Sequence, residues 1–338
     1  MQLGKLIERL PKARIVGDST VEVSGVSEDS RQAKPGMVFC AVRGLRADGH
    51  DFIAKAVAAG ASAVVAEREI DADVPVVVVE DSGIALGVMS AAIAGNPADE
   101  LGLVGITGTN GKTTCTYLIE AVLAAANRRP GVIGTVNYRY GDVIKEAPYT
   151  TPTPGILHQQ LAEFESAGCT DAVMEVSSAA LAMNRTAGLG FDVGIFTNFT
   201  QDHLELHSTM EEYRAAKALL FSQCLADDGV AVIVIDDDAG DTMIEAAGDH
   251  RVLRVSKHPD RGAEVSVLSY ESTIAGFSAR IGTPRGEISI TSSALIGEYN
   301  VTNIATAVAV GEALGLEHAA IAKGIADMAG VPGRVERV

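Results

Sequence analysis

Residues Gly105 to Thr114 read GITGTNGKTT, an apolar run that breaks into a glycine turn and ends on a lysine and two threonines. Glycines let the backbone close tightly around an anion, Lys112 reaches the outer phosphates, and Thr113 or Thr114 offers a hydroxyl to magnesium. The flanks supply the required context. LGLVGI (Leu101 to Ile106) has the continuous apolar character of a buried parallel strand, and TCTYLIEAVLAAA (Thr114 to Ala126) has helical spacing. A helix starting there adds its free N–H groups and positive dipole end to the charge of Lys112, so a nucleoside triphosphate is the natural ligand. Ile106 stands where the strict G-x-x-x-x-G-K-[ST] pattern has glycine, which makes this a P-loop variant.

Working outward, the pattern after the P-loop is strand, helix, strand. RPGVIGTV, a helix at Gly155 to Ser166, TDAVMEV, FDVGIFTNF, a helix at Met210 to Leu225 and GVAVIVID follow one another. A doubly wound, mostly parallel sheet is expected, with ligands beyond the carboxyl ends of its strands, where Glu175, Asn198 and His203 fall. Ala263 to Ile290 alternates as antiparallel strands do, and Tyr299 to Leu314 resumes as an alanine-rich helix. Before the P-loop, short β-rich runs (VEVSGVS, GMVFCAV, ASAVVAE, VPVVVVE) alternate with helices near Phe52 to Ala59 and Gly83 to Ala94. This is a smaller α/β unit, closed by the turn GNPADE.

The chain of 338 residues is too long for one ordinary core. The expected boundaries are 1–96 for an N-terminal domain, 97–332 for the central P-loop domain, and 333–338 for a charged run after a proline-glycine turn that reads as the start of a linker. A formal net charge of −17 argues against a nucleic-acid or anionic-membrane surface, so any polyanionic ligand must be held locally. The four cysteines are scattered without a C-x-x-C pair, so neither a zinc ribbon nor a redox dithiol is indicated. With no signal core and no run of about 18 apolar residues, a cytoplasmic protein is expected.

Phosphoryl transfer needs a carboxylate near magnesium, and MEVSS (Met174 to Ser178) ends an apolar strand on Glu175. NFTQDHLELH adds Asn198, Asp202, His203 and His207 on a strand-to-helix turn. Lys217 lies on the next helix, in YRAAKALLF. It is either a solvated helix lysine or a buried amine that loses its proton and takes up carbon dioxide as a carbamate, an added carboxylate toward magnesium.

GTNGKTT, TTPTP, MEVSS and NFTQDHLELH followed by AAKALLF resemble the ATP-dependent Mur ligases of peptidoglycan synthesis, and within that family the MurE type. SEDSRQAKPGMVFCAVRGLRADGHDFI (Ser27 to Ile53) resembles the uridine-nucleotide domain of these enzymes. The resemblance implies a ligase that adds a third amino acid, lysine or meso-diaminopimelate, to UDP-N-acetylmuramoyl-L-alanyl-D-glutamate through an acyl phosphate, using ATP and Mg2+, as a monomer. It also implies a C-terminal domain that completes the ATP site and selects the amino acid, and without it in this sequence the chain alone is expected to be incomplete for full turnover.

Carried over residue by residue, it implies that Ser30, Leu45, Arg46 and Ala47 contact UDP, and that Thr150, Thr151, Ser177 and Arg185 hold the muramoyl-peptide. It makes Gly108, Thr109, Asn110, Gly111, Lys112, Thr113 and Thr114 the phosphate loop, with Asn300 and Arg334 also at the nucleotide. Thr113, Glu175, His203 and Lys217 as carbamate become the metal set. Ala179, Gln201 and Met183 depart from the family's usual histidine, arginine and polar residue. A non-catalytic module that still binds UDP-muramoyl-peptide and ATP is the alternative. A plain P-loop kinase leaves the DSR segment and the TTP motif without a purpose.

Overall fold

The computed structural model describes residues 1–44, 47–202, 206–273 and 276–332. By packing, the chain forms two compact units. The first comprises Met1–Glu100, Pro152–Glu163 and Ala182–Leu189, and the second comprises Leu101–Thr151, Phe164–Leu181 and Gly190–Val338.

Among the described residues the first unit carries a five-stranded sheet. Strands β1 (Arg14–Val16), β2 (Gly25–Ser27), β3 (Met37–Cys40), β4 (Ala63–Ala66) and β5 (Val76–Val78) stand in the order β1-β5-β4-β3-β2. Only the β1–β5 pair is antiparallel. β4 reads AVVA and is buried at every position, as a strand covered on both faces must be. Helix α1 (Leu3–Leu6) buries Leu3 and Leu6, α2 (Ile53–Ala58) buries Ile53 and Ala56, and α3 (Ser82–Ile93) buries Ala85, Leu86 and Met89. The Asp81 carboxylate caps α3 by accepting from Ile84 N, and it also holds Asn184 Nδ2 at 3.1 Å, which ties the returning segment to this unit.

The second unit is built on an eleven-stranded sheet among the described residues. Its strands are β6 (Gly102–Thr107), β7 (Pro130–Ile133), β8 (Asn137–Tyr140), β9 (Val143–Glu146), β10 (Asp171–Glu175), β11 (Phe191–Phe196), β12 (Leu225–Val234), β13 (Arg251–Ser256), β14 (Val265–Thr273), β15 (Gly276–Thr283) and β16 (Gly286–Ser292). They are ordered β16-β15-β14-β13-β12-β11-β6-β10-β7-β8-β9. From β7 to β14 across the sheet the pairs are parallel, and the hairpins at both edges are antiparallel. β6 lies between β10 and β11, where the winding reverses, and a crevice opens beyond the strand ends at such a point.

Helix α4 (Lys112–Ala125) follows β6 directly, α5 (Pro154–Ser166) and α6 (Ser178–Ala182) flank β10, α7 (Met210–Gln223) follows β11, and α8 (Ala239–Ala247) follows β12. Helix α9 (Tyr299–Ala313) is apolar around most of its circumference and packs on α4, β12, β13 and β14, while α10 (His318–Asp327) packs on α4 and β16. Val104, Ile106, Leu118, Val193, Val232, Ile304 and Val308 make one core. Each such side chain contributes about 1.5–3 kcal/mol on burial. The doubly wound, mostly parallel α/β architecture expected from the strand–helix alternation is the one observed.

Candidate functional site

The loop after β6 has the backbone its sequence demands. Gly108 (φ +143°) and Gly111 (φ +88°) occupy conformations that L side chains rarely adopt. A Cβ at Gly108 would collide with Thr197 Oγ1, and one at Gly111 would stand 2.6 Å from Asn303 Oδ1. With both turns made, α4 begins at Lys112 and leaves its first N–H groups facing the loop. Lys112 Nζ folds back over the loop and donates to Gly108 O at 2.8 Å and Thr109 O at 2.9 Å.

The segment after β11 braces this loop from outside. Asn198 accepts from Asn110 N at Oδ1 (2.9 Å) and donates from Nδ2 to Asn110 O (3.0 Å), while Asn198 O accepts from Thr109 N (2.9 Å). Thr197 Oγ1 donates to Asn110 O at 2.6 Å. Asp237, just past β12, holds that segment in turn by accepting from Phe199 N at 2.7 Å.

Glu175, 1% exposed, ends β10 beside the loop. Its Oε1 accepts from Thr113 Oγ1 (2.9 Å) and Thr135 N (3.0 Å), and its Oε2 accepts from Thr135 Oγ1 (2.9 Å). Around it the hydroxyls form one lattice. Thr150 Oγ1 lies 3.0 Å from Thr135 Oγ1, and Thr151 Oγ1 donates to Glu175 O at 2.9 Å and accepts from Ser177 N at 3.0 Å. Thr150, Thr151 and Ser177, expected at the muramoyl-peptide, are thus drawn together around Glu175. Thr135 is absent from the expected set. Its signal is the β7–β10 register, which pairs Ile133 with Met174 and brings the residue two beyond β7 level with the end of β10.

Lys217 lies on α7, whose start is set by the N-cap Thr209 and by Glu212 reaching back to the residue before it. Thr209 Oγ1 accepts from Glu212 N (3.1 Å) and Glu212 Oε2 accepts from Ser208 N (2.9 Å). Tyr213 and Lys217, four residues apart, share the inward face, and the Lys217 Nζ stands 4.2 Å from the Tyr213 ring centroid. Lys217 is 1% exposed. Burial pushes its pKa down to about 6, the nearby Lys112 charge pushes in the same direction, and Asp202 opposes both. The solvated-helix alternative for this lysine is therefore set aside: it is a buried amine.

Asn300, in the first turn of α9, donates from Nδ2 to Ile296 O (2.8 Å) and accepts from Asn303 Nδ2 (3.2 Å). Asn303 backs onto Gly111, so α9 reaches the loop from behind. In the first unit, Ser30 is buried and opens a short 3-10 turn capped by Asp29, whose Oδ1 accepts from Arg31 N at 2.9 Å. Ala47 is exposed and accepts from Gly44 N at 3.0 Å. Arg185 Nη2 lies 3.7 Å from Met183 Sδ. Leu45, Arg46, His203 and Arg334 fall outside the described residues.

The oxygen donors meet a magnesium ion's preference on chemistry alone, since the Thr113 hydroxyl and the Glu175 carboxylate are in contact at the mouth of the loop. A P-loop at the switch point of a doubly wound sheet, with a buried carboxylate at the end of the neighbouring strand and a buried lysine on the helix after β11, has the make-up of a nucleotide-binding P-loop protein. Family models narrow this class. The Mur ligase middle domain matches residues 106–311, and the Mur ligase family catalytic domain matches residues 22–105. The chain belongs to the Mur ligase family.

Its relatives include the UDP-N-acetylmuramoyl-L-alanyl-D-glutamate–2,6-diaminopimelate ligase of Bacillus velezensis, 38% identical over 343 residues that span all of this chain and 69% of the relative. The ligase of the same name from Geobacter metallireducens is 41% identical over 345 residues, spanning all of this chain and 67% of the relative. A solved structure of a ligase of that name superposes with a TM-score of 0.86 at 28% identity, covering 99% of this chain and 68% of the other. The MurE type implied by the motifs, TTPTP and MEVSS among them, is the type to which these relatives belong.

Proposed function

We propose that the chain carries out the reaction for which its relatives are named, the ATP-dependent joining of 2,6-diaminopimelate to UDP-N-acetylmuramoyl-L-alanyl-D-glutamate, in the cytoplasm and as a monomer. The observation that carries this reading is the meeting of Lys112, Thr113 and Glu175 at the end of β6, inside a chain matched along its whole length by ligases of that name. In this reading Ser30, Leu45, Arg46 and Ala47 contact UDP. Thr150, Thr151, Ser177 and Arg185 hold the muramoyl-peptide, and Gly108 to Thr114, Asn300 and Arg334 hold ATP.

A substrate carboxylate oxygen attacks the γ-phosphorus of ATP, the bond from that phosphorus to the β-bridging oxygen breaks, and ADP leaves. The amine of the amino acid then attacks the acyl carbon, phosphate departs with the bridging oxygen, and the amine gives up a proton. Lys112 balances the charge that grows on the transferring phosphoryl group, and the loop and helix N–H groups orient it. Thr113, Glu175, His203 and Lys217 as carbamate would hold magnesium, which supplies further charge neutralisation on the phosphate oxygens. With its pKa near 6 the Lys217 amine is mostly neutral at pH 7. It attacks carbon dioxide, forms an N–C bond and releases one proton, which gives the carbamate.

The test is a reaction with ATP, Mg2+, the UDP-linked dipeptide and 2,6-diaminopimelate, followed by mass spectrometry and ADP assay. ADP and the UDP-linked tripeptide in equal amounts are expected. ADP release indifferent to the UDP-linked dipeptide would sink the reading and favour a plain P-loop ATPase.

A further inference from the structure

One buried ring touches the phosphate loop, the segment after β11 and Lys217. Tyr213 is fully buried, and its phenol oxygen lies 3.2 Å from Thr109 Oγ1 in the phosphate loop. Thr109 Oγ1 also accepts from Thr200 N at 3.0 Å and lies 3.2 Å from Thr200 O, so the phenol and the segment after β11 share one loop hydroxyl.

On the ring itself, Lys217 Nζ stands 4.2 Å from the centroid. Phe199, in the segment that braces the loop, packs at 5.1 Å and 34°, and His207 packs at 5.1 Å and 35°. His207 Nε2 in turn meets Ser178 Oγ at 2.9 Å, at the start of α6, three residues past Glu175. The phosphate loop, the brace after β11, the MEVSS segment and Lys217 are therefore all referred to one rigid side chain with two rotatable bonds.

We propose that Tyr213 is a positioning residue of the ligation site, setting the phosphate loop and Lys217 in register through its hydroxyl and its ring. This rests on the assignment of the ATP loop and of Lys217 made above. The hydroxyl holds Thr109, and through it the turn that Gly108 and Gly111 complete. The ring face seats the lysine, and its edges are closed by Phe199 and His207. The two halves of the role are separable, because Tyr213→Phe removes only the hydroxyl whereas Tyr213→Leu removes the ring as well.

The experiment uses the full chain and both variants, with three readouts: MgATP titration, the carbonyl resonance of a lysine carbamate in 13C-bicarbonate, and a thermal melt as a fold control. Tyr213→Phe is expected to keep the carbamate resonance and to bind MgATP about 2- to 10-fold more weakly, the worth of one buried neutral hydrogen bond. Tyr213→Leu is expected to lose the resonance as well. Wild-type MgATP affinity in Tyr213→Phe overturns the proposal, even if Tyr213→Leu fails to fold. A wild-type carbamate signal in folded Tyr213→Leu overturns it too. If the unaltered chain itself binds no MgATP, or shows no resonance that Lys217→Ala abolishes, the site assignment falls and takes the proposal with it.

Discussion

Thr113 Oγ1 donates to Glu175 Oε1 across 2.9 Å, joining the first turn of the helix after the phosphate loop to the end of the neighbouring strand. The two residues are 62 positions apart, and each is held by its own element, so the contact is a product of the sheet order in which β10 lies beside β6. It places a hydroxyl and a carboxylate where a phosphate-bound cation would be taken up. The same carboxylate is fixed on its other oxygen by Thr135.

Lys112→Ala is expected to lower ATP-dependent turnover at least about 100-fold, by analogy with removal of one donor that stabilises developing charge. ADP release per minute is the measurement. A thermal melt of the variant checks that the fold survives, since Lys112 Nζ bonds to the Gly108 and Thr109 carbonyls. Unchanged turnover would remove Lys112 from the chemistry.

Gly111→Ala combines strain at φ +88° with a Cβ placed 2.6 Å from Asn303 Oδ1. A loss of about 1–3 kcal/mol in unfolding free energy is expected, together with weaker MgATP binding. Urea denaturation and nucleotide titration read the two effects separately. Wild-type behaviour in both would mean that the loop does not hold this shape.

Thr135→Val keeps the backbone N–H on Glu175 Oε1 and deletes the hydroxyl on Oε2. A buried carboxylate left short of one donor costs about 1–3 kcal/mol. The urea midpoint should therefore fall. An unshifted midpoint would contradict the lattice around Glu175.

Lys217 gives a signed pH dependence. Its pKa is about 6 in the folded chain and near its ordinary value of 10.5 when unfolded. Between those limits the unfolded state binds more protons, so stability rises with pH across that window, and the cost of burying the lysine is fully present below about 6. Lys217→Met, in bicarbonate-free buffer, should be more stable than the unaltered chain at pH 6, with the difference shrinking as pH approaches 10. A difference that does not change with pH would show that the amine keeps its proton on folding.

Much of this architecture is legible in local pattern. Continuous apolar runs mark β6, β10, β11 and β12, the glycine turn marks the loop, and alternation marks β14 to β16. The hairpin β8–β9 is not among the expected elements, because β9 is a short edge strand with Val143 and Ile144 exposed and no core face to impose alternation. Helix α10 is likewise unforeseen in a stretch of mostly small residues. The site divides in the same way. Lys112, Glu175 and Lys217 stand in motifs, whereas Thr135, Asn303 and Tyr213 acquire their contacts only through strand register and helix packing. The return of 152–163 and 182–189 to the first unit is set by tertiary contacts such as Asn184 to Asp81, which leave no periodic trace.

The central claim is that the loop after β6 passes the γ-phosphoryl group of ATP to the carboxylate of a UDP-linked muramoyl dipeptide. Trapping with hydroxylamine tests it most directly, since an acyl phosphate converts to a stable hydroxamate without need of the incoming amino acid. Incubation of the chain with ATP, Mg2+, UDP-N-acetylmuramoyl-L-alanyl-D-glutamate and hydroxylamine should yield the hydroxamate of that dipeptide and an equal amount of ADP, and Lys112→Ala should yield neither. ADP without hydroxamate, or hydroxamate formed equally well by Lys112→Ala, would contradict it.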